Sequence, residues 1–175
     1  MAIVFDLEGV LINNFKRLNF ALKEIGVSNI EKIPKSRKME FWKIFMDLGS
    51  AERLDEINPK GIEVLIKKIK ENYKIAIISG TSKRIVSHHL GKIKEHLKIL
   101  KIEFNPVFVS WRPKNDKRPA SALKYEKIQF LEKVFGIKVV EVHDDDPKVI
   151  DALRKLADIR LVLWQNLKPI SEYDC

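Results

Sequence analysis

Cysteine is almost missing from this chain: the single one, Cys175, is the last of 175 residues. An internal disulfide is therefore excluded, and a thiol on the last residue makes a poor catalyst. Glutamine occurs only as Gln129 and Gln165. No stretch is low in complexity, which argues against a disordered or linker-like chain. Long apolar runs are lacking too. The longest, such as Ile75–Ile78 and Leu161–Trp164, are far too short to span a bilayer. No basic stretch precedes the strand-like Ala2–Phe5 and no small-residue cleavage site follows it. The expectation is a cytoplasmic protein with no signal peptide and no membrane partner.

Acidic residues are in deficit: 24 Asp+Glu stand against 33 Lys+Arg, a net charge of +9. That balance favours anionic partners such as phosphorylated metabolites or nucleic acid. It also fits a solvated Lys/Glu/Ile-rich surface of the kind thermophiles use, so charge alone decides nothing. Hydrophobic residues make up 45% of the chain, enough for a core, and the length fits one domain with a small appendage.

Short β-branched runs alternate with stretches of helical period. The strands are expected at Ala2–Leu7, Lys74–Ser79, Pro106–Trp111, Lys138–His143 and Arg160–Trp164. Helices are expected at Gly61–Asn72, Lys83–Leu97, Ser121–Phe135 and Pro147–Leu156. In the first of these, Ile62, Leu65, Ile66 and Ile69 fall on one face and lysines on the other. Near-continuous apolar strands alternating with helices predict an α/β fold, a Rossmann-like, mainly parallel sheet with helices on both faces. Residues 13–56 break the rhythm. Two amphipathic helices, Phe15–Ile25 and Ser36–Leu48, are expected there around a turn at Ile33-Pro34. The organisation predicted is a core of residues 1–12 and 57–175 with a small helical cap, residues 13–56, inserted after the first strand.

Ligands of open parallel sheets bind beyond the carboxyl ends of the strands. The first strand ends in Asp6-Leu7-Glu8-Gly9, the second in Ser79-Gly80-Thr81, and the fourth in His143-Asp144-Asp145-Asp146. Each is ordinary alone, since Asp before Pro147 is a common helix cap. Together, Asp6 and three consecutive acids on one rim would repel one another unless a cation sits among them. Magnesium takes oxygen ligands of this kind.

Phe5-Asp6-Leu7-Glu8-Gly9-Val10-Leu11 resembles the first motif of the haloacid dehalogenase-like superfamily. Ile77-Ile78-Ser79-Gly80 is similar to its second, Lys124 stands where its third-motif lysine would, and Asp144-Asp145 resembles its fourth. The resemblance implies a phosphatase with Asp6 as nucleophile and Glu8 as general acid/base. It implies Mg²⁺ held by Asp6, the Glu8 carbonyl, Asp144 and Asp145, and phosphate held by Ser79, Gly80 and Lys124. Glu8 stands where most relatives carry Asp. It keeps a carboxylate with one methylene more reach, so ester hydrolysis remains the implied reaction.

Residues 111–124 resemble, more narrowly, the phosphatase domain of phage-type polynucleotide kinase–phosphatases, through Arg112, Asp116-x-Arg118 and Lys124. This implies a substrate role for Arg112 and Arg118 and a nucleic-acid phosphate end as substrate, beside a small phosphorylated metabolite. Thr81 and Ala120 depart from that family's pattern, which usually has Arg and an acid there. Trp42, Phe41 and Trp111 are candidate base-stacking residues, although Phe41 and Trp42 share an apolar helical stripe. His143 is expected to be structural, and His88 and His89 to face solvent. The rival from another class is a non-catalytic phosphate- or nucleic-acid-binding module on the same fold.

Overall fold

A computed structural model describes residues 1–156 and 158–173; Cys175 lies outside them. In chain order the elements are β1 (Ala2–Phe5), β2 (Ile12–Asn13), α1 (Phe15–Glu24), α2 (Lys38–Phe45), α3 (Leu48–Leu54) and β3 (Glu56–Ile57). There follow α4 (Pro59–Lys70), β4 (Lys74–Ile78), α5 (Lys83–Ile99), β5 (Phe108–Ser110) and α6 (Ala120–Phe135). The chain continues through β6 (Val139–Asp144), α7 (Pro147–Leu153), β7 (Arg160–Gln165) and β8 (Lys168–Tyr173).

The six-stranded sheet runs β5-β4-β1-β6-β7-β8, parallel throughout except for the antiparallel β8. Side chains alternate across it as the period of a strand requires. Ile3, Phe5, Ile75 and Ile77 pack with Leu65 of α4 and Ile93 of α5 on one face. Val4, Ala76 and Ile78 pack with Ile128 of α6 and Ile150 of α7 on the other. Both faces are covered, so β1 is buried along its whole length. The α/β, mainly parallel sheet expected from the sequence is the fold.

Local chemistry sets the helix ends. Asn58 caps α4 by accepting from the Lys60 amide at 3.2 Å, with Pro59 in the first turn. Asp146 caps α7 in the same way, accepting from the Lys148 amide at 2.9 Å ahead of Pro147. Of the three consecutive acids, Asp146 thus belongs to the helix, and Asp144 and Asp145 are left for other work. Asn58 also donates from Nδ2 to the carbonyls of Val10 (2.6 Å) and Leu167 (3.1 Å), tying the loop after β1 to the β7–β8 turn.

Between β2 and β3 the chain forms three α-helices rather than the two expected. Asp47 accepts from the Ser50 amide at 2.8 Å and starts α3 where the sequence pattern had suggested the end of one longer helix. β2 and β3 pair antiparallel, Ile12 with Ile57 and Asn13 with Glu56, and so bring the two ends of this segment together. Its helices share an apolar cluster of their own, centred on Ala21, Ile25, Phe41 and Phe45.

Candidate active site

Three neighbouring strands present the site. β1 lies between β4 and β6, with Phe5 opposite Ile77 on one side and His143 on the other. Asp6 follows Phe5 directly, and its amide donates to the His143 carbonyl at 3.0 Å, continuing the ladder by one residue. Ser79 stands just past the end of β4, its amide on the Ser110 carbonyl at 3.0 Å. Asp144 ends β6. The rim predicted from the sequence is therefore a consequence of parallel strands ending together.

Lys124 is buried in the first part of α6, and its Nζ lies 2.5 Å from Oδ2 of Asp6 and 2.6 Å from Oδ2 of Asp144. The remaining oxygens are also fixed: Asp6 Oδ1 accepts from the Leu7 amide at 2.7 Å and Asp144 Oδ1 from the Asp146 amide at 3.0 Å. Carboxylate oxygens of Asp6, Asp144 and Asp145 all lie within 4.8 Å of one another. Burial alone would push the Lys124 ammonium down, but the charges of Asp144 and Asp6 hold it well above the usual lysine value. Asp144 is pushed up to about 7, by burial and by the Asp6 charge, against the pull of Lys124. Asp145 rises to about 8 through loss of water and repulsion by Asp6 and Asp144. Its side chain is open to solvent, so repulsion is the cause that carries weight there.

Fully ionised, the three carboxylates would exceed the one ammonium by two negative charges, and it is this repulsion that holds Asp144 and Asp145 partly protonated until a cation joins them. An all-oxygen donor set of that charge fits a hard divalent cation such as Mg²⁺. Gly9 makes room for the Asp145 carboxylate: its φ is +78°, and a Cβ at that position would run into the Asp145 side chain. Ser79 Oγ accepts from the Thr81 amide at 3.3 Å, shaping the turn that presents the Gly80 backbone.

Glu8 does not join this cluster. Its Oε1 is paired with Nη2 of Arg17, a residue of α1 that is fully buried and that the sequence reading had not singled out. Arg17 also donates from Nε to Asp55 Oδ1 at 3.0 Å and from Nη1 to the Phe45 carbonyl at 2.8 Å. Asp55 in turn bonds Nε2 of His89 at 2.8 Å. His89 is wholly buried, a correction to the expectation that it faces solvent; it sits on the apolar stripe of α5 between Val86 and Ile93. His88 is half-buried. Burial raises the Glu8 carboxyl above its ordinary value, and Arg17 works in the opposite direction.

His143 is held inside the sheet. Trp164 Nε1 can only donate, and it reaches His143 Nδ1 at 3.0 Å; the proton must then sit on Nε2, which meets Glu141 Oε1 at 2.6 Å. The ring stacks on Phe5 with centroids 4.4 Å apart. Burial keeps this imidazole below the usual histidine value.

Arg112 and Arg118 are both engaged by the protein's own groups. Arg112 donates to the carbonyls of Gly80 (2.9 Å), Asp116 (3.2 Å) and Arg118 (2.7 Å), bracing the turn after β4. Arg118 forks onto Asp116, with its closest contact at 2.7 Å, and pairs with Glu126. Trp42 differs from its neighbour Phe41: Phe41 is buried, whereas Trp42 is 49% exposed. With Met46 and Lys117, Trp42 lines a cavity of about 580 Å³ that reaches Gly80 and Ala120. A second cavity of about 730 Å³ shares Met46 and Arg112 and extends to Lys83, Arg84, Trp111 and Lys114. The two form one basic groove beside Gly80, with Lys83 Nζ 5.1 Å from the Trp111 ring centre.

No family model and no curated protein matches the chain. Solved structures do. A chain of the Pnkp1/Rnl/Hen1 RNA repair complex aligns with a TM-score of 0.58 at 18% identity, over 93% of this chain and 41% of that one. A hydrolase from Pseudomonas syringae aligns with a TM-score of 0.60 at 17% identity, over 93% and 82% of the two chains. A Had-superfamily hydrolase from Ehrlichia chaffeensis gives 0.51 at 18% identity, over 93% and 86%. The chain thus spans less than half the length of the repair-complex chain and most of the length of the two hydrolases. It has the haloacid dehalogenase-like fold, the one its four sequence motifs resemble.

Proposed function

We propose that the chain is a Mg²⁺-dependent phosphomonoester hydrolase that works through an aspartyl-phosphate on Asp6. The observation that carries this reading is the meeting of Asp6, Asp144 and Asp145 within 4.8 Å, with Lys124 across the first two. The ion would be held by Asp6, the Glu8 carbonyl, Asp144 and Asp145. When bound it would screen the attacking carboxylate from an anionic substrate and offset charge on the phosphoryl oxygens.

The chain's own residues supply the rest. An Asp6 oxygen forms a bond to phosphorus while the ester P–O bond breaks and its electron pair stays on the leaving oxygen. Glu8, protonated, gives its proton to that oxygen and becomes a carboxylate. In the second half Glu8 takes a proton from water as the water oxygen bonds to phosphorus, and the Asp6–phosphorus bond breaks. One ester and one water give one alcohol and one inorganic phosphate. Ser79, the Gly80 amide and Lys124 hold the phosphoryl oxygens throughout.

The substrate is a small phosphorylated metabolite or a nucleic-acid phosphate end. The groove beside Gly80, with half-exposed Trp42, Trp111 and six lysines and arginines along it, supports the second. Likeness to a chain of an RNA repair complex agrees. Arg112 acts there by fixing the Gly80 turn, and Arg118 by holding Asp116. The cytoplasmic location expected from the sequence is retained as part of this reading.

Hydrolysis of p-nitrophenyl phosphate with and without Mg²⁺, comparing wild type with Asp6→Asn, tests the chemistry. Wild type is expected to be active only with the ion, and Asp6→Asn to lose at least a thousandfold, as removal of a covalent nucleophile does. Equal rates would favour the non-catalytic binding module. A panel of phosphorylated metabolites against 3′- and 5′-phosphorylated oligonucleotides decides the substrate.

A further inference from the structure

We propose that Arg17, held by Asp55 and backed by His89, positions Glu8 for proton transfer to the leaving oxygen, so that the helical segment after β2 completes the catalytic apparatus. This rests on the phosphatase reading and adds to it a residue outside every sequence motif. Each nitrogen of the Arg17 guanidinium is committed. Nε and Nη2 meet Asp55 at 3.0 Å, Nη1 meets the Phe45 carbonyl at 2.8 Å, and Nη2 meets Glu8. Its carbon centre lies 4.3 Å from the middle of the Phe45 ring. Arg17 and Asp55 are fully buried, so the guanidinium cannot swing out to a substrate; it acts on Glu8 alone.

Glu8, Asp55 and His89 present oxygens and a nitrogen close enough together to suggest a second cation site. The Arg17 guanidinium already bridges Glu8 and Asp55 as the cation. Burying such a network is costly, and packing alone is served as well by apolar residues. A fixed orientation for Glu8 is what the network supplies in return. Glutamate has one more rotatable bond than the aspartate usual at this place, and a planar fork anchored at both ends removes that freedom. With Oε1 held, the second oxygen is the one available for proton transfer. The anchors come from four places: Arg17 in α1, Phe45 in α2, Asp55 before β3 and His89 in α5. The acid is thus set only when the helical segment is seated on the core.

The test exploits the leaving group. p-Nitrophenolate departs without a proton, whereas an alkoxide needs one. For Arg17→Lys, kcat/KM, which reports phosphoryl transfer to Asp6, is expected to fall about 100-fold on an alkyl phosphate such as glycerol phosphate. On p-nitrophenyl phosphate it should fall by less than about fivefold, with Mg²⁺ affinity unchanged. Adding Arg17→Lys to Glu8→Gln should slow the alkyl ester no further than Glu8→Gln alone. Equal losses on both esters, or additive losses in the double variant, overturn the proposal. If Arg17→Lys does not fold, Asp55→Asn is read on the same pair, and an unchanged ratio of the two rates overturns it. Absence of Asp6-dependent hydrolysis in wild type would instead sink the phosphatase reading itself.

Discussion

Lys124 and Asp144 meet at 2.6 Å in the buried rim of the sheet, and the same ammonium reaches Asp6 at 2.5 Å. One cation thereby holds two carboxylates that come from different strands and would otherwise repel. The arrangement is undercharged, because Asp145 adds a third carboxylate, and this shortage is what makes the rim receptive to a divalent ion.

Removing that cation should therefore expose the repulsion. Lys124→Met is expected to cost about 3–5 kcal/mol, the range for breaking a buried ion pair from one side. Mg²⁺ at a hundredfold excess over the variant's dissociation constant should restore about 3 kcal/mol to it, more than the same concentration gives wild type. Thermal unfolding with and without the ion checks both. A variant as stable as wild type in chelator would show that the acids do not compete.

Two glycines with the same backbone sign separate strain from crowding. Gly136 ends α6 at φ +64° with nothing within 4 Å of a Cβ, whereas at Gly9, φ +78°, a Cβ would run into Asp145. Gly136→Ala should cost about 1 kcal/mol with activity intact. Gly9→Ala should cost more and also weaken Mg²⁺ binding at least tenfold by displacing Asp145. Calorimetric ion titrations of the two variants would distinguish them; equal ion affinities would remove Asp145 from the proposed ligand set.

Acid should destabilise the fold through Glu141. Burial pushes this carboxyl up, but hydrogen bonds from His143 and Lys68 outweigh it and hold it down at about 2, against an ordinary 4.5. A depressed acid contributes stability that is complete above its unfolded value and lost as pH falls through the folded one. The window is thus between 4.5 and about 2. At about 1.4 kcal/mol per pH unit the loss is about 3 kcal/mol. Neutral His143 adds in the same direction below its unfolded value, because its Nδ1 is occupied by Trp164. Urea unfolding of wild type and Glu141→Gln from pH 7 to 3 isolates the effect, since the difference between them should shrink as pH falls. A constant difference would mean the pair is not ionised.

The sequence showed the rim but not what stands behind it. Asp6, Ser79, Asp144 and Asp145 were legible because parallel strands end together and each sits at, or just beyond, a recognisable run; Lys124, inside α6, was legible through the motif resemblance. Arg17 and His89 were hidden because charged residues on amphipathic helices normally face water. The signal was present all the same: Arg17 lies four residues before buried Ala21, and His89 lies on the stripe of Val86 and Ile93. α3 was masked by Gly49 inside it, although Asp47 marked its start. β8 was missed because it is a polar edge strand entered through Asn166 and Leu167, both at positive φ, with no glycine to announce the turn.

Trp42 gives the last prediction. It was grouped with Phe41 on an apolar stripe, yet it stands half-exposed over the groove beside Gly80. An aromatic left open next to the turn proposed to bind phosphate, in a groove lined by lysines and arginines, suits a base stacked close to the scissile phosphate. Stacking contributes about 1–3 kcal/mol per base by alanine substitution. Trp42→Ala should accordingly raise KM for a phosphorylated oligonucleotide by about 5- to 100-fold while leaving p-nitrophenyl phosphate, which has no base, within about twofold. Rising salt should weaken the oligonucleotide reaction in wild type and variant alike, because Lys83, Lys114 and Lys117 are untouched. If the variant loses equally on both substrates, Trp42 is holding the helical segment in place rather than a base, and the substrate is to be sought among small metabolites.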